Sequence, residues 1–167
     1  MNRKFGSVLI GAMIAVLAAG LSYGAAATAP VNTPSRDGKS VSLGVYTNTV
    51  IYAGTIVALN SAGYAVPAAD ASGYIVIGRA TRTVDNRTGQ TGAGTSGTLK
   101  IVVERGVFGL NGWTAMTNIT ATSIGTLAYV LDDNSVTNGT GTYSIVVGPI
   151  VDVSGGFIWV DASRHGL

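Results

Sequence analysis

From Lys39 onward the apolar residues fall in short runs, rich in Val, Ile and Leu, that alternate with clusters of Gly, Asn, Ser and Asp. No stretch keeps apolar residues at the three- and four-residue spacing of an amphipathic helix, so the pattern predicts strands joined by turns. The clearest run is TLKIVVERGVFGL (98–110). In an extended chain Leu99, Ile101, Val103 and Val107 share one face, and Lys100, Val102, Glu104 and Phe108 the other. Further strands are predicted in SVSLGVY from Ser40, TIVAL from Thr55, YIVIGRATR from Tyr74, TLAYVLD from Thr126, YSIVVGPIVDV from Tyr143 and GFIWVDA from Gly156.

Between these runs lie NSAG (60–63), DASG (70–73), DNRTGQTGAGTSG (85–97), NGTG (138–141) and SGG (154–156). Their glycines allow positive φ, and their Asn and Asp side chains accept from backbone amides nearby. Pro149 removes a ladder donor from an otherwise long strand, which predicts a bulge or a change of sheet near Gly148 and Pro149. No internal repeat of fixed period is visible, only repeated turn types. The expected architecture is an all-β domain, a compact β-barrel or β-sandwich over 43–167. An extended arm (31–42) and an apolar, optionally helical N-terminal segment (1–30) precede it.

Composition narrows the function classes. The 167 residues include 24 glycines and are 47% hydrophobic, yet only 11% are charged, against about a quarter in ordinary soluble domains. Ser, Thr, Asn and Gly must therefore wet the surface, or partners must cover part of it. The formal charge of +2 owes two cations to Arg3 and Lys4; the remainder carries eight Lys or Arg against eight Asp or Glu. No basic stripe is left to follow phosphates, which argues against direct nucleic-acid binding. There is no cysteine, so neither a disulfide framework nor a thiolate metal site is available.

The first thirty residues place Arg3 and Lys4 before an uncharged apolar run from Phe5 to Leu21, followed by small residues through Ala29. This pattern is that of a secretory signal peptide with a cut after Ala27; a retained apolar arm and a membrane anchor are the alternatives.

Several residues invite a chemical reading. Asp132 and Asp133 are adjacent, so in a strand their carboxylates would point to opposite faces. Asp-Asp-Asn-Ser before Val136 is better read as a turn than as a metal or catalytic pair, and the spacing of a calcium loop is absent. GAGTSGTLK (92–100) has glycines spaced as in a phosphate-binding loop, but Thr98 stands where lysine is needed and a strand follows where a helix is needed. His165 has no nucleophile or carboxylate recognisably arranged with it. Phe157 and Trp159 share a strand face and are read as core or subunit interface. Arg79, Arg82 and Arg87 read as a solvated face, with ion pairing to a partner as the alternative. No catalytic, cofactor-binding or metal constellation emerges, and the expectation is a protein that is not an enzyme and needs no cofactor.

The blocks NTPSRDGKSVSLGV (32–45), IYAGTIVALNSAGYAVPAADASG (51–73), VIGRATRTVDNRTG (76–89), LKIVVERGVFGLNG (99–112), IGTLAYVLDDNSV (124–136) and GPIVDVSGGFIWVDAS (148–163) follow one another as in a family of tailed-phage head proteins. In their order and spacing the chain resembles a capsid cement, or head decoration, protein of the kind often labelled a RecA/RadA-like recombinase. The resemblance implies a β-tulip-like domain, assembly as a homotrimer, and a place on the outer surface of the virion head against the major capsid protein. It implies no direct contact with nucleic acid, and none with a membrane unless the N-terminal segment acts as signal or anchor. Asn32, Thr33, Pro34 and Arg36, in the arm, are the candidate capsid contacts. The competing expectation is an exported bacterial surface or periplasmic β-sandwich that serves a structural or adhesive role.

Overall fold

A computed structural model describes residues 29–30, 38–92, 94–112 and 119–163. All strands lie in the unit Arg36–Leu167. In chain order they are β1 (Ser40–Gly44), β2 (Val50–Ile51), β3 (Ile56–Leu59), β4 (Ala65–Pro67), β5 (Ile75–Ala80), β6 (Val84–Asp85), β7 (Lys100–Glu104), β8 (Val107–Gly112), β9 (Leu127–Val130), β10 (Ser135–Thr137), β11 (Val146–Ser154) and β12 (Phe157–Asp161). The only helical element among the described residues is a 3-10 turn at Ala121–Ser123. The all-β expectation holds. The shortest strands, β2, β4, β6 and β10, were not predicted, because two or three residues show no periodicity. β1 already contains Ser40–Ser42, so the first strand begins inside the stretch read as an arm.

Three sets of strands form. Five pair in the order β1-β7-β5-β3-β4, five in the order β10-β8-β12-β11-β9, and β2 pairs with β6. In the second set β9 pairs back to β10, so the order returns on itself. Two apolar cores result. One gathers Val45, Ile51, Val57, Ala65, Ile77, Val84, Ile101 and Val103, with the β2-β6 ribbon contributing to it. The other joins Ile56, Ala58, Val66 and Val76 to Leu110, Ala128, Val130, Val136, Val147, Ile150, Ile158 and Val160. Successive residues of β3 thus serve different cores, Ile56 and Ala58 one and Val57 the other. That is why IVAL is apolar at every position instead of alternating.

The run 98–110 is not one strand. β7 follows the predicted alternation, with Ile101 and Val103 buried and Lys100 and Val102 exposed. At Arg105 and Gly106 (φ +158°) the chain leaves the first set for the second, and the parity flips. Val107 is exposed whereas Phe108 packs against the core and Leu110 is buried. The bulge expected near Pro149 is present: register shifts between Val146 and Gly148 where β11 pairs with β9, and again between Ile150 and Asp152 where it pairs with β12.

The two five-strand sets have the same wiring. β1, β7, β5, β3 and β4 correspond in order and direction to β8, β12, β11, β9 and β10. The parallel pairing of β10 with β8 has its counterpart in a parallel bridge between Val45 and Ala65. Backbone bonds recur position by position. Gly54 N donates to Ala80 O (2.8 Å) and Ala80 N to Thr55 O (2.9 Å); Gly125 N donates to Ile150 O and Ile150 N to Thr126 O, both 2.8 Å. Arg105 N bonds Lys39 O as Ala162 N bonds Gly106 O. Residues 40–161 therefore hold two copies of one strand plan, a repeat that uneven loop lengths conceal in the sequence.

Each copy has a bulge glycine. Gly78 (φ +152°) lies against the Glu104 carbonyl and Gly148 (φ +157°) against the Asp161 carbonyl, so a Cβ at either would collide with backbone. Gly54 also has positive φ, +86°, but open space around it. Gly148→Ala is therefore expected to cost about 3 kcal/mol or more, combining backbone strain with overpacking, and Gly54→Ala only about 1 kcal/mol. Urea unfolding of both variants checks this; equal losses would show that the carbonyl contact does not limit the site.

Candidate binding face

The Asp132–Asp133 pair sits in a turn. β9 has ended at Val130, Leu131 N and Asp132 N both donate to Ser135 O, and the Asp132 carboxylate accepts from Asn134 N at 2.8 Å. Asp133 is engaged through its backbone, whose carbonyl accepts from Ile56 N at the start of β3 and ties the two copies together. Among the described residues no group of three His, Cys, Asp or Glu is placed to hold a metal ion. Burial, with Asp132 adding to it, raises the Asp133 carboxyl above the ordinary aspartate value. A raised folded-state value means that the ionised form is disfavoured in the native protein. This contribution to stability is complete below the unfolded value and is lost as pH rises through the folded one. Asp133→Asn is therefore expected to raise Tm at pH 7, with the gain shrinking once pH falls below the raised value and vanishing below the unfolded one. A gain independent of pH would exclude this origin.

The glycine-rich loop is held by an asparagine. Asn86 is fully buried, and its Nδ2 donates to Tyr46 O (2.8 Å), Thr95 O (2.8 Å) and Val45 O (3.3 Å), joining the loop to the end of β1. Gly92 lies so close to this side chain that a Cβ there would strike its Oδ1. The loop runs on into β7, so the strand expected after it is present and a helix N-terminus for phosphates is not formed. The residue that organises the loop was missed, because Asn86 in sequence is one more turn residue. Asn86→Ala leaves the Val45, Tyr46 and Thr95 carbonyls without this donor, the first buried and the other two partly so, and is expected to cost about 2–3 kcal/mol, read by chemical denaturation.

The three arginines read as a solvated face each bind within the chain. Arg79 pairs with Glu104 (2.9 Å) and lies 4.6 Å over the Phe108 ring; Arg82 donates to Lys100 O (2.9 Å); Arg87 pairs with Asp85. The Arg87 guanidinium lowers the Asp85 carboxyl from its ordinary value. The two ion pairs are substantially exposed and contribute little to stability. Asn32, Thr33, Pro34 and Arg36, the apolar segment 1–28 and His165 lie outside the described residues. Among the described residues no helix is long and apolar enough to cross a membrane.

Trp159 and Phe157 are not core. They project from the outer side of β12, 37% and 44% exposed, while Ile158 and Val160 between and beyond them are buried. Their rings meet edge to face, 6.3 Å between centroids. β8 lies beside them and adds Val107, 49% exposed; on the other side β11 adds Val151, 40% exposed. Gly109 is the direct cross-strand partner of Trp159, and a Cβ there would come 3.2 Å from Phe157 Cβ and 3.4 Å from Trp159 Cε2. Both side chains thus lean over the glycine. This outer face of β8, β12 and β11 gathers four exposed large apolar side chains, and exposed aromatic patches mark interaction sites. Comparison with protein-family models, with curated proteins and with solved structures finds no match.

Proposed function

We propose that the protein is a structural capsid cement, or head decoration, protein. It binds the outer surface of a tailed-phage head as a homotrimer and stabilises the expanded shell by bridging neighbouring copies of the major capsid protein. The observation that carries the reading is the exposed Val107, Val151, Phe157 and Trp159 face on an all-β body of low charge. Two aromatic residues flanked by exposed valines on a sheet exterior serve a macromolecular contact better than they serve solubility. The order of strand and turn blocks from Asn32 to Ser163, similar to that of head decoration proteins, supplies the identity of the partner.

The physical logic is that of linked weak contacts. A single copy binds each neighbour weakly, but a trimer that spans several capsomers makes later contacts at high effective concentration. Binding only to the expanded shell stabilises that state by mass action. The Ser-, Thr- and Asn-rich loops keep the outward surface wet without drawing nucleic acid.

A second reading, an exported surface or periplasmic β-module, is favoured by the signal-like order of cations, apolar run and small residues in 1–30. Fractionation of native material on a density gradient, with intact mass of the recovered chain, separates the two. The chain is expected to co-sediment with phage heads, and heads stripped of it to lose heat resistance. A chain starting near Thr28, recovered from periplasm or medium and never with heads, would replace the first reading by the second.

A further inference from the structure

The repeat supplies an internal control for the exposed face. Matching pairings place Val102 where the second copy has Trp159, Ser42 where it has Gly109, Ser40 where it has Val107, and Lys100 where it has Phe157. Beside Val102, Thr81 N donates to the Val102 carbonyl; beside Trp159, the cross-strand partner is Asp152. One backbone plan thus carries Ser40, Ser42, Val102 and Lys100 in one copy and Val107, Gly109, Trp159 and Phe157 in the other. The strand plan does not demand the aromatics, so the second copy carries them for another reason.

We propose that the corner made by Trp159, Phe157 and Asp152 receives an arginine side chain of a protein partner. The indole leans over Gly109, the Phe157 ring stands edge to face beside it, and the Asp152 side chain projects from the neighbouring strand on the same face. A guanidinium is the group that satisfies such a corner, since its plane stacks on an aromatic ring while its edge donates to a carboxylate. Asp152 accepts from Val153 N (2.8 Å) and Ser154 Oγ (2.6 Å), and no Lys or Arg among the described residues forms an ion pair with it. The molecule builds the completed arrangement once already. Arg79 lies 4.6 Å over the Phe108 ring and bonds Glu104 at 2.9 Å. On the outer face of β12 the aromatic and the carboxylate are in place for a cation from outside.

The inference rests on the proposed function only for who the partner is; the chemistry of the corner stands without it. The test is titration of the 15N-labelled full chain with the peptide acetyl-Gly-Arg-Gly-amide, followed by NMR. Affinity for a single exposed contact of this kind is ~millimolar. The Trp159 Nε1–H and the amides of 151–153 and 157–160 are expected to shift progressively. The lysine peptide should shift them less, and the uncharged citrulline peptide not at all. Asp152→Asn, an exposed substitution that leaves the fold intact, should weaken the arginine peptide about threefold or more, whereas Trp159→Ala should abolish the response. Equal shifts with citrulline would overturn the proposal, as would a response to methyl β-glucoside in place of arginine, which would make the corner a sugar platform. A response that appears only in Arg164→Gln would overturn it too, because the chain's own arginine would then fill the corner. Peptide binding without any co-sedimentation with heads would keep the corner and remove the capsid; co-sedimentation without peptide binding would do the reverse.

Discussion

The structure depends on burial of β3 and its neighbours from both sides. Ile56 and Ala58 enter the core shared with the second strand set, Val57 the core of the first, and no residue of that strand's centre reaches water. A strand so placed cannot tolerate a polar residue at either parity, since an unpaired buried polar group costs more than most single contacts return. The same constraint explains how so little charge suffices for a folded body. The two copies cover each other, and polar side chains are spent in turns, where Asn60 and Asp132 accept from backbone amides and Asn86 donates to backbone carbonyls.

Much of this architecture was legible in the sequence. The β-branched runs at Ser40, Thr55, Tyr74, Thr126, Tyr143 and Gly156 each contain a strand, and Pro149 announced the irregular register of β11. The break in 98–110 was hidden because both halves alternate correctly by themselves. Only the parity change across Arg105 and Gly106 betrays it, and Val107 is as apolar as a core residue. The repeat was hidden for a different reason. Residues 81–99 separate β5 from β7, whereas Gly155 and Gly156 alone separate β11 from β12, so no constant offset aligns the copies. What they share is backbone geometry, such as a glycine at Gly78 and Gly148 facing a carbonyl, and sequence shows that only as one glycine among many.

The binding face was half legible. Alternation put Phe157 and Trp159 together on one side of a strand, but alternation does not say which side faces the core. That choice is made by tertiary packing, in which Ile158 and Val160 win the interior. Asp152 could not be connected to Trp159 at all without the register of β11 on β12, which a bulge displaces by one residue.

The wiring has a kinetic corollary. In each copy the first strand pairs with the last, Ser40 with Glu104 and Val107 with Asp161. On a ribosome, the first copy can close as soon as β7 emerges, since none of its five strands waits for later sequence. The second likewise holds β8 unpaired on that side until β12 has been made. Loop closure over so long a stretch is slow, and during the wait Leu110 and its neighbours lie open to other chains. A finished first copy, presenting Ile56, Ala58, Val66 and Val76 as a ready apolar wall, gives the late strands a surface on which to assemble, so the N-terminal half acts as a template for the C-terminal one.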